Sequence, residues 1–258
     1  SGTGTDVVAH EVGHALPDPL WPELWGAEFL EAGAFHEAFG DCVAILTALH
    51  DPALRRDLVT SVKVNKTNPL ETTAEDLSWA IKQLAPNHNA SVPRRAHNSL
   101  RWTLPSSLPA DGPPGALSEE AHSFGQVFSG CFYDLIGLLY ANAPSKTEAQ
   151  LWKAAETAAR LLFSAAENAP MSLRLFQSVG RTMAQQDQVM FGGAHYDLIS
   201  QAFRMHNILL GSSAMAAPRS ELAGKTSGRG AVKLNAAASE DARTRLGASA
   251  GARLGRRT

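Results

Sequence analysis

The chain has 258 residues, of which 44% are hydrophobic and 19% are charged, a composition typical of a globular domain with a substantial core. Its formal net charge of −2 and its pI near 6.5 give no reason to expect nucleic acid or an anionic membrane as a partner. No uninterrupted apolar run approaches the roughly 20 residues that cross a bilayer, so no transmembrane segment is expected, and residues 1–10 do not have the pattern of a signal peptide.

The first predicted helix ends before Pro17 and contains the most specific motif of the chain. Residues 10–14 read HEVGH, which is an H-E-x-x-H run. Positions four apart share one helical face, so the imidazoles of His10 and His14 can bind the same metal ion. Glu11 then lies beside the metal, where a carboxylate can accept a proton from a polarised water and pass it to a leaving amine.

The second predicted helix covers residues 28–50 and supplies the candidate third ligand. A catalytic metal site of this kind uses three protein ligands and leaves one position for water, and Glu37 follows His14 by 23 residues. Its neighbours are apolar, and a buried carboxylate needs a metal or a hydrogen-bond donor as a partner. Asp41, four residues further on, can accept the free ring N–H of a ligating histidine and fix its orientation.

The rest of the sequence predicts further helices and contains no convincing strand pattern or internal repeat. Residues 17–26, rich in proline and tryptophan, are expected to form an ordered loop, and residues 85–117 a long proline-rich connection. Thr5 or Asp6 is predicted to cap the first helix, and Ser118 the long fifth one. The remaining helices are expected at residues 51–62, 74–84, 118–142, 147–167, 171–188 and 195–209.

The chain is expected to divide into a helical domain at residues 1–210 and a basic, low-complexity tail at residues 211–258. Residues 215–258 hold nine Lys and Arg against three acidic residues, which leaves the preceding 214 residues near −8. The tail cannot bury enough apolar surface to offset its ordering entropy, so we predict disorder there. Cys42 and Cys131 fall within apolar helical patterns and are predicted to be buried free thiols, although a disulfide between them is the alternative.

The HEVGH run followed by GAFHEAFGD resembles the gluzincin metallopeptidases, specifically the thermolysin and fungalysin families. The resemblance implies a mainly α fold, the helical zincin subdomain of a thermolysin-like metallopeptidase, that acts as a zinc endopeptidase. It implies Zn²⁺ bound by His10, His14 and Glu37, with Glu11 as the general base and Asp41 beside the ligands. His36 replaces the usual asparagine of these families. It is either a neighbour of the site or a competing ligand, and the first is favoured because adjacent helical residues point in different directions.

The segment around His122 is also similar to these families, in which a histidine opens a helix beyond the metal site. By resemblance, His122 would face the substrate and stabilise the oxyanion that forms when water attacks a peptide carbonyl. A helix-capping or surface histidine is the alternative, and His97 is a rival for the same role. The acidic residue that would orient His122 is left open between Glu119, Glu120 and Asp111.

The resemblance covers residues 4–210, and in these families a mostly β domain precedes the zinc helix. The chain begins where that domain would end, so the sequence predicts either a fragment or a minimal form of the enzyme. Expected partners are a peptide or protein substrate and an upstream β subdomain of the same parent protein, and the resemblance implies an extracellular location. The alternative functions are a zinc-stabilised, non-catalytic or incomplete peptidase-like domain and a non-peptidase metallohydrolase.

Overall fold

The structure, a computed structural model, describes residues 4–60, 70, 72–73 and 75–211, and these residues are mainly helical, as predicted. All of them belong to the first of two compact units, Ser1–Ala216. Apart from Gly211, the predicted tail lies outside the described residues.

The α-helices follow one another along the whole described chain, with two very short strands in the middle. The strands are β1 (Thr72–Thr73) and β2 (Arg94–Arg95), which pair antiparallel with Thr73 opposite Arg94. The helices are α1 (Thr5–Ala15), α2 (Pro17–Leu20), α3 (Glu23–Gly26), α4 (Leu30–Leu49), α5 (Pro52–Thr60), α6 (Glu75–Leu84), α7 (Ala121–Ala141), α8 (Glu148–Asn168), α9 (Leu175–Phe191) and α10 (Tyr196–Met205).

Two local predictions about the start of the chain were wrong. The expected ordered loop at residues 17–26 forms α2 and α3, because Pro17 occupies the first turn of α2, where its missing N–H costs no hydrogen bond. The N-cap of α1 is Gly4, and neither Thr5 nor Asp6 caps the helix. Asp6 lies in the first turn instead, where its negative charge interacts favourably with the positive, N-terminal end of the helix dipole.

The cap of α7 also differs from the prediction. Glu120 is the N-cap residue, and its carboxylate accepts hydrogen bonds from the backbone N–H groups of His122 and Ser123. Ser118 is fully buried two residues earlier, where its hydroxyl accepts a hydrogen bond from the Asn89 amide. Serine is the commoner cap, yet the carboxylate of Glu120 can satisfy two of the free N–H groups at once.

Helix α4 is the central element of the unit and packs against both α1 and α7. By length and composition it could cross a membrane, but most of it is buried against other helices, as in the core of a globular domain. Its apolar side contributes Phe35 and Phe39, both fully buried. Phe35 meets Phe128 of α7 edge to face, with ring centroids 5.0 Å apart, and Phe128 in turn contacts Phe176 of α9. An aromatic cluster thus fixes α4 against the C-terminal helices.

Two glycines allow α1 and α4 to approach each other closely. A Cβ atom on Gly13 would lie 2.7 Å from Cα of Gly40, and a Cβ atom on Gly40 would lie 2.7 Å from Nδ1 of His10. Such distances are too short for non-bonded atoms, so neither position tolerates a larger residue without movement of the helices. The contact places the H-E-x-x-H face of α1 directly against the carboxylates of α4.

The prediction for the cysteines is confirmed. Cys42 of α4 and Cys131 of α7 are both fully buried free thiols. Burial raises the pKa of both thiols well above the usual value, so both remain protonated at neutral pH. They therefore contribute to the packing between α4 and α7 as small apolar groups.

Candidate metal site

The contact between α1 and α4 brings together the three predicted ligands. Nε2 of His10 lies 3.3 Å from Oε2 of Glu37, and Nε2 of His14 lies 3.7 Å from the same oxygen. His10, Glu11 and His14 form one group of side chains able to hold a metal ion, with ligand atoms within 4.8 Å of one another. His14, His36 and Glu37 form a second such group. His14 belongs to both groups and thus links residues of both helices into one candidate site.

The geometry of the three ligands fits a single metal ion. Ligand atoms at tetrahedral bond lengths near 2.1 Å lie roughly 3.4 Å apart, close to the separations found here. The rings of His10 and His14 are perpendicular, at 89°, so their planes cross and their in-plane lone pairs can meet at one point. Oε2 of Glu37 is buried, and within the described part of the chain none of its contacts has hydrogen-bond geometry. A buried carboxylate oxygen in that state is suited to a cation.

Glu11 differs from the three ligands because its side chain is exposed. One of its carboxylate oxygens still lies within 4.8 Å of the ligand atoms of His10 and His14. A carboxylate that borders a metal position but remains open to solvent can exchange protons with water and with a bound molecule. Glu11 therefore borders the candidate metal site, where the sequence motif predicts a general base.

Asp41 contacts the outer nitrogen of His10, as the sequence predicts. Oδ1 of Asp41 lies 2.9 Å from Nδ1 of His10 and accepts a hydrogen bond of 3.1 Å from the Thr73 hydroxyl. Arg94 donates to both oxygens of the same carboxylate, through Nη2 at 2.9 Å and Nε at 3.2 Å. Because Thr73 and Arg94 lie opposite each other on β1 and β2, this small strand pair holds the carboxylate that orients His10.

The charges around Asp41 favour one protonation state. Burial alone would raise its pKa, but the guanidinium of Arg94 and the imidazole of His10 outweigh that effect and hold the pKa far below its usual range. Burial lowers the pKa of His10, whereas Asp41 and Glu37 raise it, and the net direction is upward. Asp41 is therefore an anion at all physiological pH values and favours a proton on Nδ1 of His10, which leaves Nε2 directed toward Glu37.

His122, at the start of α7, reaches the same carboxylate oxygen of Glu37 as the two predicted ligand histidines. Its Nε2 lies 3.0 Å from Oε2 of Glu37, and its Nδ1 makes a short contact with Glu120. Of the three acidic residues that the sequence leaves open, Glu120 is thus the partner of His122. Asp111 instead contacts His88 at 3.3 Å. Although burial lowers the pKa of His122, the two glutamates raise it to about 10, so the imidazole is protonated at neutral pH.

His36 lies at the candidate site, in contact with the predicted ligand His14. Its ring is buried and stacks on the ring of His14, with centroids 4.4 Å apart and planes only 8° from parallel. Burial, partly offset by Glu37, lowers the pKa of His14 to about 4, so His14 is neutral and has a free lone pair at pH 7. The rival of His122, His97, contacts the ring of Tyr133 at 5.9 Å.

Arg94 and Thr73 are the residues of the site that the sequence did not predict. The sequence predicts a histidine as the donor to the buried Asp41, and Thr73 and Arg94 are two further donors. Nothing in the local sequence distinguishes Arg94 from its neighbour Arg95, and two-residue strands carry no readable alternation.

In comparisons with known proteins, no family model and no curated protein matched the chain. The chemistry of the site is therefore inferred from its own side chains.

Proposed function

We propose that the described helices form part of the catalytic domain of a zinc metalloendopeptidase similar to the thermolysin and fungalysin families. The observation that carries the proposal is the convergence of His10, His14 and Glu37 on one point, with Nε2 atoms 3.3 and 3.7 Å from Oε2 of Glu37. Two imidazoles and one carboxylate are a donor set that catalytic zinc uses when one position stays open. The substrate would be a peptide or protein.

Each remaining side chain has a defined task in this reaction. When bound, zinc would supply a Lewis acid that polarises the scissile carbonyl and lowers the pKa of a water toward about 7. Glu11 would take a proton from the attacking water and later deliver it to the nitrogen of the leaving amine. Because Glu11 is exposed beside the ligands, a substrate and water can both reach it.

His122 would stabilise the oxygen that becomes negative as water adds to the carbonyl. In the metal-free protein, burial lowers its pKa but Glu37 and Glu120 raise it to about 10. Its Nε2, 3.0 Å from Oε2 of Glu37, is placed to donate toward the metal side of the site. Glu120 would hold the ring in place through Nδ1 while capping α7. The carboxylate of Glu120 would thus both cap α7 and orient the imidazole of His122.

The proposal is tested by elemental analysis and casein cleavage of the wild type and of Glu11→Gln. We expect one zinc per chain in both proteins, and chelator-sensitive cleavage in the wild type alone. Glu156→Gln, which changes an exposed glutamate on α8, is the matched control and should cleave normally. Cleavage that persists in Glu11→Gln would refute the mechanism, and absence of zinc from the wild type would refute the ligand assignment.

A closed, non-catalytic zinc site is the second candidate, and one observation favours it. Nε2 of His122 is only 3.0 Å from Oε2 of Glu37, which is a separation that a fourth ligand would have. Four protein ligands are typical of structural zinc, which stabilises a fold and performs no chemistry. X-ray absorption of the zinc protein separates the candidates. Three imidazoles and no water would support the structural role, whereas two imidazoles with a water oxygen would support the peptidase.

A further inference from the structure

The two predicted ligand histidines are held by different contacts. Nδ1 of His10 lies 2.9 Å from Asp41, which is the usual way to fix a ligating imidazole. Nδ1 of His14 is buried and has no hydrogen-bond partner among the described residues. An imidazole with one free nitrogen can rotate about its side-chain bonds, and rotation would move its Nε2 away from the metal. Some other contact must therefore orient His14.

The one aromatic face packed flat against His14 belongs, among the described residues, to His36. The centroids are 4.4 Å apart and the planes differ by 8°, so the two rings overlap as a parallel stack. His36 lies on α4, beside the ligand Glu37, and is itself buried, with only 7% of its surface exposed. Its ring is thus fixed by the same helix that supplies the carboxylate, and it limits the rotation of the His14 ring.

The parallel arrangement also argues against a role for His36 as a ligand of the same ion. The lone pair of an imidazole nitrogen lies in the plane of the ring, and two parallel planes have no point in common. The perpendicular rings of His10 and His14, at 89°, can both direct a lone pair to one ion, whereas the stacked rings of His14 and His36 cannot. His36 therefore acts on the metal only through His14.

We propose that His36 is a positioning residue of the zinc site, which holds the ring of His14 by stacking in place of a hydrogen bond to Nδ1. This inference rests on the part of the proposed function that makes His14 a zinc ligand, and it does not depend on catalysis. The stacking explains how His14 can keep its orientation although its Nδ1 has no hydrogen-bond partner among the described residues.

The test compares two replacements of similar size, His36→Phe and His36→Leu, by competition with a chromophoric zinc chelator. Phenylalanine keeps an aromatic face, whereas leucine fills the space without one. We expect His36→Leu to weaken zinc binding about tenfold or more, in the range found when a residue that orients a ligand is lost. His36→Phe should bind zinc within about threefold of the wild type and should give the same visible spectrum with Co²⁺. His50→Leu, at the end of the same helix where His50 contacts Trp152, is the matched control and should change neither quantity.

Each other outcome is informative. Equal loss of affinity in both variants, with one imidazole fewer by X-ray absorption, would make His36 a ligand and overturn the proposal. Unchanged affinity in both would overturn it as well. If the wild type binds no zinc, both this inference and the proposed function fail, whereas unaltered variants in a zinc-binding wild type would leave the function standing. Melting temperatures measured in chelator verify that each variant is folded.

Discussion

Arg94 forms a bidentate ion pair with the buried carboxylate of Asp41. Oδ1 of that carboxylate also lies 2.9 Å from Nδ1 of His10. The guanidinium comes within 3.4 Å of the same histidine nitrogen. Arg94 thus offsets the negative charge that Asp41 places beside a candidate ligand, while Asp41 favours the imidazole tautomer whose Nε2 is free to bind a metal. Charge, tautomer and ring orientation at His10 all depend on one carboxylate.

Removal of the Arg94 cation should damage both stability and the metal site. Arg94→Met leaves the Asp41 carboxylate buried without its main counter-charge, so we expect the free energy of unfolding to fall by about 3 kcal/mol or more. Zinc affinity should fall about tenfold because His10 loses its orientation. Urea unfolding without metal and chelator competition measure the two effects separately.

The control for this change is the next residue on the same strand. Arg95 is exposed, and Arg95→Met should leave both quantities close to those of the wild type. Arg94→Lys retains the charge but not the planar fork and should lie between the two. An Arg94→Met protein as stable as the wild type would show that Thr73 and His10 alone satisfy the carboxylate.

A methyl group at Gly40 should disrupt the site without any change of charge. Its Cβ would lie 2.7 Å from Nδ1 of His10, so Gly40→Ala must push the ring or separate α1 from α4. We expect zinc affinity to fall at least tenfold, measured by competition with a chelator. Gly137→Ala, in α7, is the matched control, since nothing lies within 4 Å of the added Cβ.

The control variant Gly137→Ala should not lose stability. Alanine favours the helix over glycine by about 1 kcal/mol, so Gly137→Ala should be as stable as the wild type or more so. Normal zinc binding in Gly40→Ala would contradict the close contact between the helices.

Zinc binding should weaken as the pH falls, because protons compete for His10. The pKa of His10 is raised in the metal-free protein, so the ring keeps a proton to a higher pH and must lose it when Nε2 binds a metal. His14, with its pKa lowered to about 4, is already neutral and adds no such dependence above about pH 5. Titration calorimetry at pH 7 in buffers of different ionisation enthalpy should therefore reveal proton release. An affinity that stays constant between pH 8 and pH 5 would be incompatible with ligation by His10.

His122 should matter for turnover more than for metal binding. Removal of one oxyanion donor commonly costs 10²–10³ in kcat, so we expect His122→Ala to lower kcat roughly 100-fold and to retain zinc. His97→Ala, which changes the histidine that contacts Tyr133, should have nearly normal kcat. Steady-state kinetics with a fluorogenic peptide, together with the zinc content of each variant, provide the comparison. Loss of zinc from His122→Ala would instead indicate a fourth ligand.

Much of the helical fold was predictable because apolar spacing and helix breakers are local properties of the sequence. The pattern at residues 28–50 matches α4, at Leu30–Leu49, and Pro17 correctly marks the end of α1. The failures were also local. Short helices within residues 17–26 and the cap at Glu120 depend on turn geometry, for which several residue types compete.

The candidate site was predictable only where its residues share a helix. His10 and His14 have a spacing that implies a common target, and Glu37 with Asp41 repeats that spacing on α4. Arg94 lies on a two-residue strand that is distant in sequence from His10 and Asp41, and such a short strand has no periodic pattern from which the contact could be predicted. The stack of His36 on His14 depends on the close approach of α1 to α4, which Gly13 and Gly40 allow.

Because the outer side of α1 is exposed, a metal ion at the candidate site would help to hold α1 on α4. Val8 and Val12 are each about half exposed, at 50% and 52%, and α1 packs chiefly on α4. An ion shared by His14 and Glu37, 23 residues apart, would act as a removable cross-link that closes the intervening loop and restricts the unfolded chain. Chelation should then let α1 open locally ahead of the remaining helices, so its amide hydrogens should exchange faster while those of α7 and α9 keep their protection.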